Sequence, residues 1–198
     1  MGCASQPSII AGPSQPSVQQ HSLQAQHLES LFPINSFQLN GRIAVQMEKQ
    51  GFSATTQWQH APNQDVMEVF SPFGSKLAAI NRTDKNVTLT MPDQKQLQAS
   101  SVEALTEEAL GFKLPLVGLS DWALGRPSLQ GEAPTMTQYD EMGRIAKLNQ
   151  QGWDIEYSDY QPISNVDLPK KILLKSLKLN MKVLVESWQL DPVKKLTQ

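Results

Sequence analysis

The sequence is poor in the side chains that enzymes and metal sites most often use. It holds one cysteine and three histidines, His21, His27 and His60. These are too few for a usual structural zinc site, and a lone thiol cannot close a disulfide within the chain. Net charge is only −2, which gives no electrostatic reason to expect nucleic acid. No apolar run is long enough to form a membrane-spanning helix. A P-loop, a Gly-x-Ser-x-Gly elbow, a His-Glu-x-x-His pair and a dinucleotide fingerprint are all missing. His60 and Asp65 make the only suggestive acid–base pair, and they read as a solvated or satisfied pair across a surface turn. The expectation is therefore a protein with no catalytic residues, no cofactor and no metal ligand. A hydrolase is the least favoured class.

What is present is enough apolar material, 39% of 198 residues, for one domain with a sizeable core. The single cysteine sits in an informative place. Cys3 follows Gly2 and precedes a Pro-, Ser- and Gln-rich tract. An exposed thiol in such a tail would be an oxidation liability. Gly-Cys is also how the processing box of a bacterial lipoprotein ends, with the cysteine becoming the acylated first residue. The expectation is lipidation at Cys3, the preceding signal peptide having been removed and Met1 supplied as a start. Ala4 in place of aspartate fits sorting to the outer membrane. Residues 1–20 then read as a flexible tether, 21–190 as a single domain and 191–198 as a frayed tail.

Within the domain the apolar period is mostly two. Phe37, Leu39, Ile43, Val45 and Met47 alternate with polar residues, as do Phe52, Ala54, Thr56 and Trp58. Strands are expected to follow across 66–71, 76–82, 87–91 and 96–99, joined by short polar turns, as an antiparallel meander. Before them, 21–32 has the spacing of a short amphipathic helix. After them the period changes. Ser100-Ser101-Val102-Glu103 matches a capping box, and Val102, Leu105, Leu110 and Phe112 lie on one helical stripe. A second short helix carries Leu116, Leu119 and Trp122. Strands resume with a hairpin in 138–149, then Trp153, Ile155 and Tyr157. Beyond Pro169, Ile172 and Leu174 are followed by an apolar row of Leu177, Leu179, Met181, Val183 and Val185, with Lys175, Lys178, Lys182 and Glu186 between them.

Val69-Phe70-Ser71-Pro72-Phe73-Gly74-Ser75-Lys76-Leu77 reads as two strands joined by a tight turn. Phe73 stands at its tip, where a ring either folds back onto its own hairpin or is offered to something apolar.

Taken together, these segments resemble the LolB family of outer-membrane lipoprotein receptors. Asn40-Gly41-Arg42-Ile43-Ala44 and Ser71-Pro72-Phe73-Gly74-Ser75 carry the resemblance. Its most specific part is Gly111-Phe112-Lys113-Leu114-Pro115-Leu116 with Leu119, Trp122, Leu124-Gly125 and Pro127, and Trp153, Tyr157, Tyr160, Leu168-Pro169 and Trp188 follow. The resemblance implies a mainly β fold, an open, incomplete antiparallel barrel with a helical lid over a hydrophobic cavity. It implies a monomer, lipid-anchored to the outer membrane and facing the periplasm. Such a protein accepts triacylated lipoproteins from the periplasmic carrier LolA and inserts them into the inner leaflet of that membrane. By the same resemblance, Pro72, Phe73 and Gly74 form a membrane-insertion loop, where Phe73 replaces the family's usual leucine. Ile43, Val45, Trp58, Leu105, Leu110, Phe112, Leu116, Leu119, Trp122, Tyr157 and Met181 are the candidate cavity lining. The segment Lys175 to Asn180 lacks the family's Gly-containing turn. Two rivals stand beside this reading, a LolA-type carrier and a structural outer-membrane lipoprotein with a solid core.

Overall fold

The structure is a computed structural model that describes residues 18–110, 113–114 and 116–190; for Leu110 and Val117 it describes the backbone alone. Helix α1 (Val18–Leu31) comes first, followed by six strands: β1 (Phe37–Met47), β2 (Gly51–Ala61), β3 (Gln64–Phe70), β4 (Lys76–Thr83), β5 (Val87–Thr90) and β6 (Gln96–Ala99). Helices α2 (Val102–Leu110) and α3 (Leu116–Ala123) intervene. Five more strands complete the fold: β7 (Met136–Tyr139), β8 (Ile145–Gln150), β9 (Trp153–Ile163), β10 (Val166–Lys175) and β11 (Leu179–Gln189).

All eleven strands form one antiparallel sheet in the order β6-β5-β4-β3-β2-β1-β11-β10-β9-β8-β7. Every neighbour in that order is also a neighbour in sequence except β1 and β11, which join the two halves. Gly41 makes this junction possible: a Cβ there would lie 2.5 Å from the Leu184 carbonyl oxygen, at the bulge where the β1–β11 register shifts. Strands β6 and β7 are left as unpaired edges, so the sheet curls without closing. The chain that runs between those edges is the segment that carries α2 and α3, and α2 packs against β5 and β6.

Alternation fixes which face is inward. Along β1, Phe37, Leu39 and Val45 are buried while Asn40, Arg42 and Gln46 are exposed. α1 closes one end of the sheet. Its Leu23 backbone lies so near the β7–β8 turn that a Cβ on Gly143 would meet it at 2.5 Å. Leu31 is fully buried, and its carbonyl accepts a hydrogen bond from Arg126. None of the described helices is long and apolar enough to cross a membrane.

Four sequence expectations need correction. Residues 18–20, read as tether, are helical. The cap of α2 is Ser101, whose hydroxyl accepts the Ala104 N–H at 3.1 Å, one residue later than a box from Ser100 to Glu103 requires. This start places Val102 and Leu105 in the core. Strand β10 begins at Val166 and runs through Pro169. It pairs with β11 only from Lys171 onward, which leaves one flank able to take a residue without an N–H. Leu177 is not in the inward row of the last pair. A turn at Ser176–Lys178, closed by Ser176 N–H to Leu179 O at 2.9 Å, resets the alternation and leaves Leu177 in solvent.

Candidate functional site

The inward face of the sheet does not pack solid. A cavity of about 280 Å³ lies between the β1–β5 half and α3. Leu39, Ile43 and Val45 of β1 and Phe52, Thr56 and Trp58 of β2 form one wall. Met67, Val69, Ala78 and Ile80 continue it, and Met181 and Val183 of β11 face them. Leu114, Leu119 and Ala123 cover it. Thr56 is the one polar side chain among the described lining residues, and its hydroxyl is spent on the Glu68 carbonyl at 3.1 Å. Among the described residues, no titratable side chain lines the cavity. Such a space offers dispersion contacts and exclusion of water. An apolar cavity of ~150 Å³ already stays dry and takes up apolar guests; this one is larger.

The floor of the cavity is held by a buried ionic cluster. Asp65 is fully buried. One of its oxygens accepts the Trp58 indole N–H at 2.8 Å and faces His60 Nδ1 at 2.7 Å, and the other accepts Arg82 Nε at 2.5 Å. Phe37 stacks edge-on against Trp58 and Trp188, with centroids at 5.1 and 5.3 Å. Of the two readings left open by the sequence, solvated or satisfied, the structure shows the second. His60 and Asp65 are a satisfied structural pair, cross-strand neighbours near the β2–β3 turn, and they orient a cavity wall. The sequence hid this because Arg82 arrives from another strand.

Of the eleven residues expected to line the cavity, Ile43, Val45, Trp58, Leu119 and Met181 do so. Leu105, Leu116, Trp122 and Tyr157 are buried elsewhere in the core. Trp122 has a specific reason. Its indole N–H donates to Gln150 Oε1 at 2.8 Å, and Gln150, itself fully buried, also takes the Ser128 N–H and donates to the Ser128 and Glu132 carbonyls. That network fastens α3 and the loop after it to β8, so the ring is a rivet and not a wall. Tyr157 lies on β9, where burial pushes its phenol well above the ordinary tyrosine range. Leu105 packs α2 down, and Leu116 opens α3. Phe112 and the Leu110 side chain lie outside the described residues, as does Cys3. Phe52, Met67, Val69, Ala78, Ile80, Leu114 and Ala123 line the space without having been anticipated. For the five on strands, the alternation of those strands was the available signal.

The cavity opens at one end of the sheet. Phe52 and Leu77 line it and remain 40% and 37% exposed, which marks them as its rim. Beside Leu77 the β3–β4 turn is closed by Gly74 N–H to Ser71 O at 2.9 Å and Ser71 N–H to Ser75 O at 2.8 Å. Gly74 has φ +84°, a conformation that other residues adopt at a cost. Phe73 is 96% exposed at the tip. The ring does not fold back.

A family model described as outer membrane lipoprotein LolB matches residues 35–188. The chain belongs to the LolB family. Two relatives, both described as outer-membrane lipoprotein LolB, come from Thiobacillus denitrificans and Cellvibrio japonicus. The first is 34% identical over 80% of this chain and 82% of its own length. The second is 31% identical over 96% and 91%. Among solved structures, a LolA superfamily protein from Nitrosomonas europaea superposes with a TM-score of 0.55 at 12% identity, covering 90% of this chain and 96% of its own. A putative outer membrane lipoprotein-sorting protein domain from Vibrio parahaemolyticus gives 0.50 at 5%, over 88% and 93%. These likenesses show the open-sheet fold. LolB membership places the chain at the outer membrane, in lipoprotein localisation.

Proposed function

We propose that this chain accepts lipoproteins from the carrier LolA, holds their acyl chains in the cavity beneath α3 and releases them into the outer membrane, to which acylated Cys3 anchors it. The observation that carries the reading is the apolar cavity of about 280 Å³ opening beside an exposed Phe73. An acyl chain in water costs roughly 0.8 kcal/mol per CH₂, so a carrier and a receptor must pass it between covered sites. The cavity weighs against the solid-cored alternative. Its volume lies just below the roughly 300–1,000 Å³ of drug-sized ligand sites, and three acyl chains need more than that. Loading therefore widens it, and the unpaired β6 and β7 edges leave the sheet free to spread. Transfer is a matter of relative affinity, with the receptor above the carrier and the bilayer above both.

The test is a handover assay. A Cys3→Ala chain, soluble by design, is mixed with LolA loaded with a labelled lipoprotein, and liposomes are then added. Label should move to this chain and then to the liposomes. Label that stays on LolA rejects the receptor reading.

A further inference from the structure

Leu177 is fully exposed, at 105% of its reference surface, on the connection between β10 and β11. It is not a frayed end. The Ser176 hydroxyl accepts the backbone N–H of Lys178 and of Leu179 at 3.4 Å each, and the turn is closed by the Ser176–Leu179 backbone bond. A well-built turn thus holds a large apolar side chain out into water.

Its position in the sheet gives that exposure a meaning. Antiparallel order puts the β1–β2, β3–β4, β5–β6, β8–β9 and β10–β11 turns at the same end, and α1 caps the other. Phe73 and the cavity rim at Phe52 and Leu77 are at this end too. Four strand spacings separate the β3–β4 and β10–β11 hairpins in sheet order, about 19 Å along the sheet at ~4.8 Å each. Exposed apolar side chains, Phe32 and Met142, also stand at the opposite end, but the charge differs between the two. Lys49, Lys76, Lys95, Lys175 and Lys178 stand in or beside the turns of this end, against Glu48 and Asp93; Lys76, Lys95, Lys175 and Lys178 also pair with Glu68, Asp93, Glu156 and Glu107, loosely in the last two cases at 3.8 and 4.0 Å. The turns of the opposite end carry Asp84, Asp140 and Glu141 with Lys85 and Arg144.

We propose that Leu177 is a second membrane-inserting tip, which with Phe73 seats this end of the sheet on an anionic phospholipid bilayer. The proposal deepens the function given above and rests on its membrane-delivery step. One tip alone is a pivot. Two tips on either side of the β1–β2 hairpin fix the cavity mouth against the lipid, so that cargo leaving between Phe52 and Leu77 meets acyl chains before it meets water. The flanking Lys175 and Lys178 can keep their ammonium groups at the headgroups while Leu177 enters below them. Their attraction acts within a Debye length of ~8 Å, the range of a docked surface.

The test uses the Cys3→Ala chain with vesicles of phosphatidylethanolamine containing phosphatidylglycerol. Leu177→Glu should lower partitioning about tenfold, the order expected from the area of one leucine, with no change in the urea midpoint. In a Leu177→Trp chain, the added indole emission should shift to shorter wavelength on binding and be quenched by brominated acyl chains. Unchanged partitioning, or an indole that brominated lipid does not reach, overturns the proposal. So does a Leu177→Glu chain that partitions normally but no longer takes cargo from LolA, because Leu177 would then be a protein contact. A parent chain that accepts no cargo, while the added indole is still quenched, sinks the receptor function and leaves this docking in place.

Discussion

At the scale of single residues, a buried aspartate and a half-buried histidine matter more than composition suggests. Asp65 neutralises Arg82, whose side chain is only 15% exposed, and anchors the Trp58 indole. Asp65→Ala would leave the Arg82 guanidinium with only the Ala61 and Pro62 carbonyls and no counter-charge, and the Trp58 indole N–H without its acceptor, at a cost of about 3–5 kcal/mol. Urea unfolding should show that loss, together with weaker binding of an apolar fluorescent probe as Trp58 comes free. A loss under about 1 kcal/mol would mean an exposed-type pair. His27 acts through pH. Burial lowers its pKa below the ordinary 6.5, with Arg144 adding to the effect and Asp167 and Asp140 opposing it. The unfolded chain therefore binds a proton below pH 6.5 that the folded chain refuses. The stabilisation is present above that pH and is lost as pH falls through it. The urea midpoint should drop more steeply between about pH 7.5 and 5.5 in the parent than in His27→Phe. Equal slopes would show that the burial is not felt. Neither role was legible in the sequence, since Arg82 and Asp167 reach these groups from other strands.

At the scale of elements, α3 is both fastened and capping. Gln150 and Trp122 tie it to β8, while Leu119 and Ala123 face the cavity. Ala123→Phe should place its ring in existing space, so that stability holds and affinity for the apolar probe falls about tenfold or more. Unchanged affinity would put the ligand elsewhere. The stripe of α3 was visible in the sequence, but which of its members line a cavity was not. Leu119 and Trp122 are both apolar and one turn apart. A buried glutamine on a distant strand decides between them.

For the whole molecule, the fold is polarised. One end is shut by α1; the other carries the cavity rim, the lysines and the two apolar tips. Phe73→Glu should leave cargo acceptance intact and cut delivery into liposomes about tenfold or more, since a carboxylate replaces a ring worth ~1.5–3 kcal/mol of burial. Delivery that continues unimpaired would reject insertion at this tip. A chain that loses acyl binding instead would assign Phe73 to the cavity.

The alternation of Phe37 to Met47, the short polar turns and the change of period at Ser100 were enough to determine an antiparallel meander interrupted by two helices, because both signals are local. Phe73 at the tip of a turn was equally local. Only the tertiary structure decided the rest: the β1–β11 junction, the cavity between the sheet and α3, the Asp65 cluster and the exposure of Leu177. Each depends on groups far apart in the chain, and Leu177 is out of the inward row because one three-residue turn shifts the register. Periodicity shows which residues are apolar along one face; it does not show where that face fails to fill.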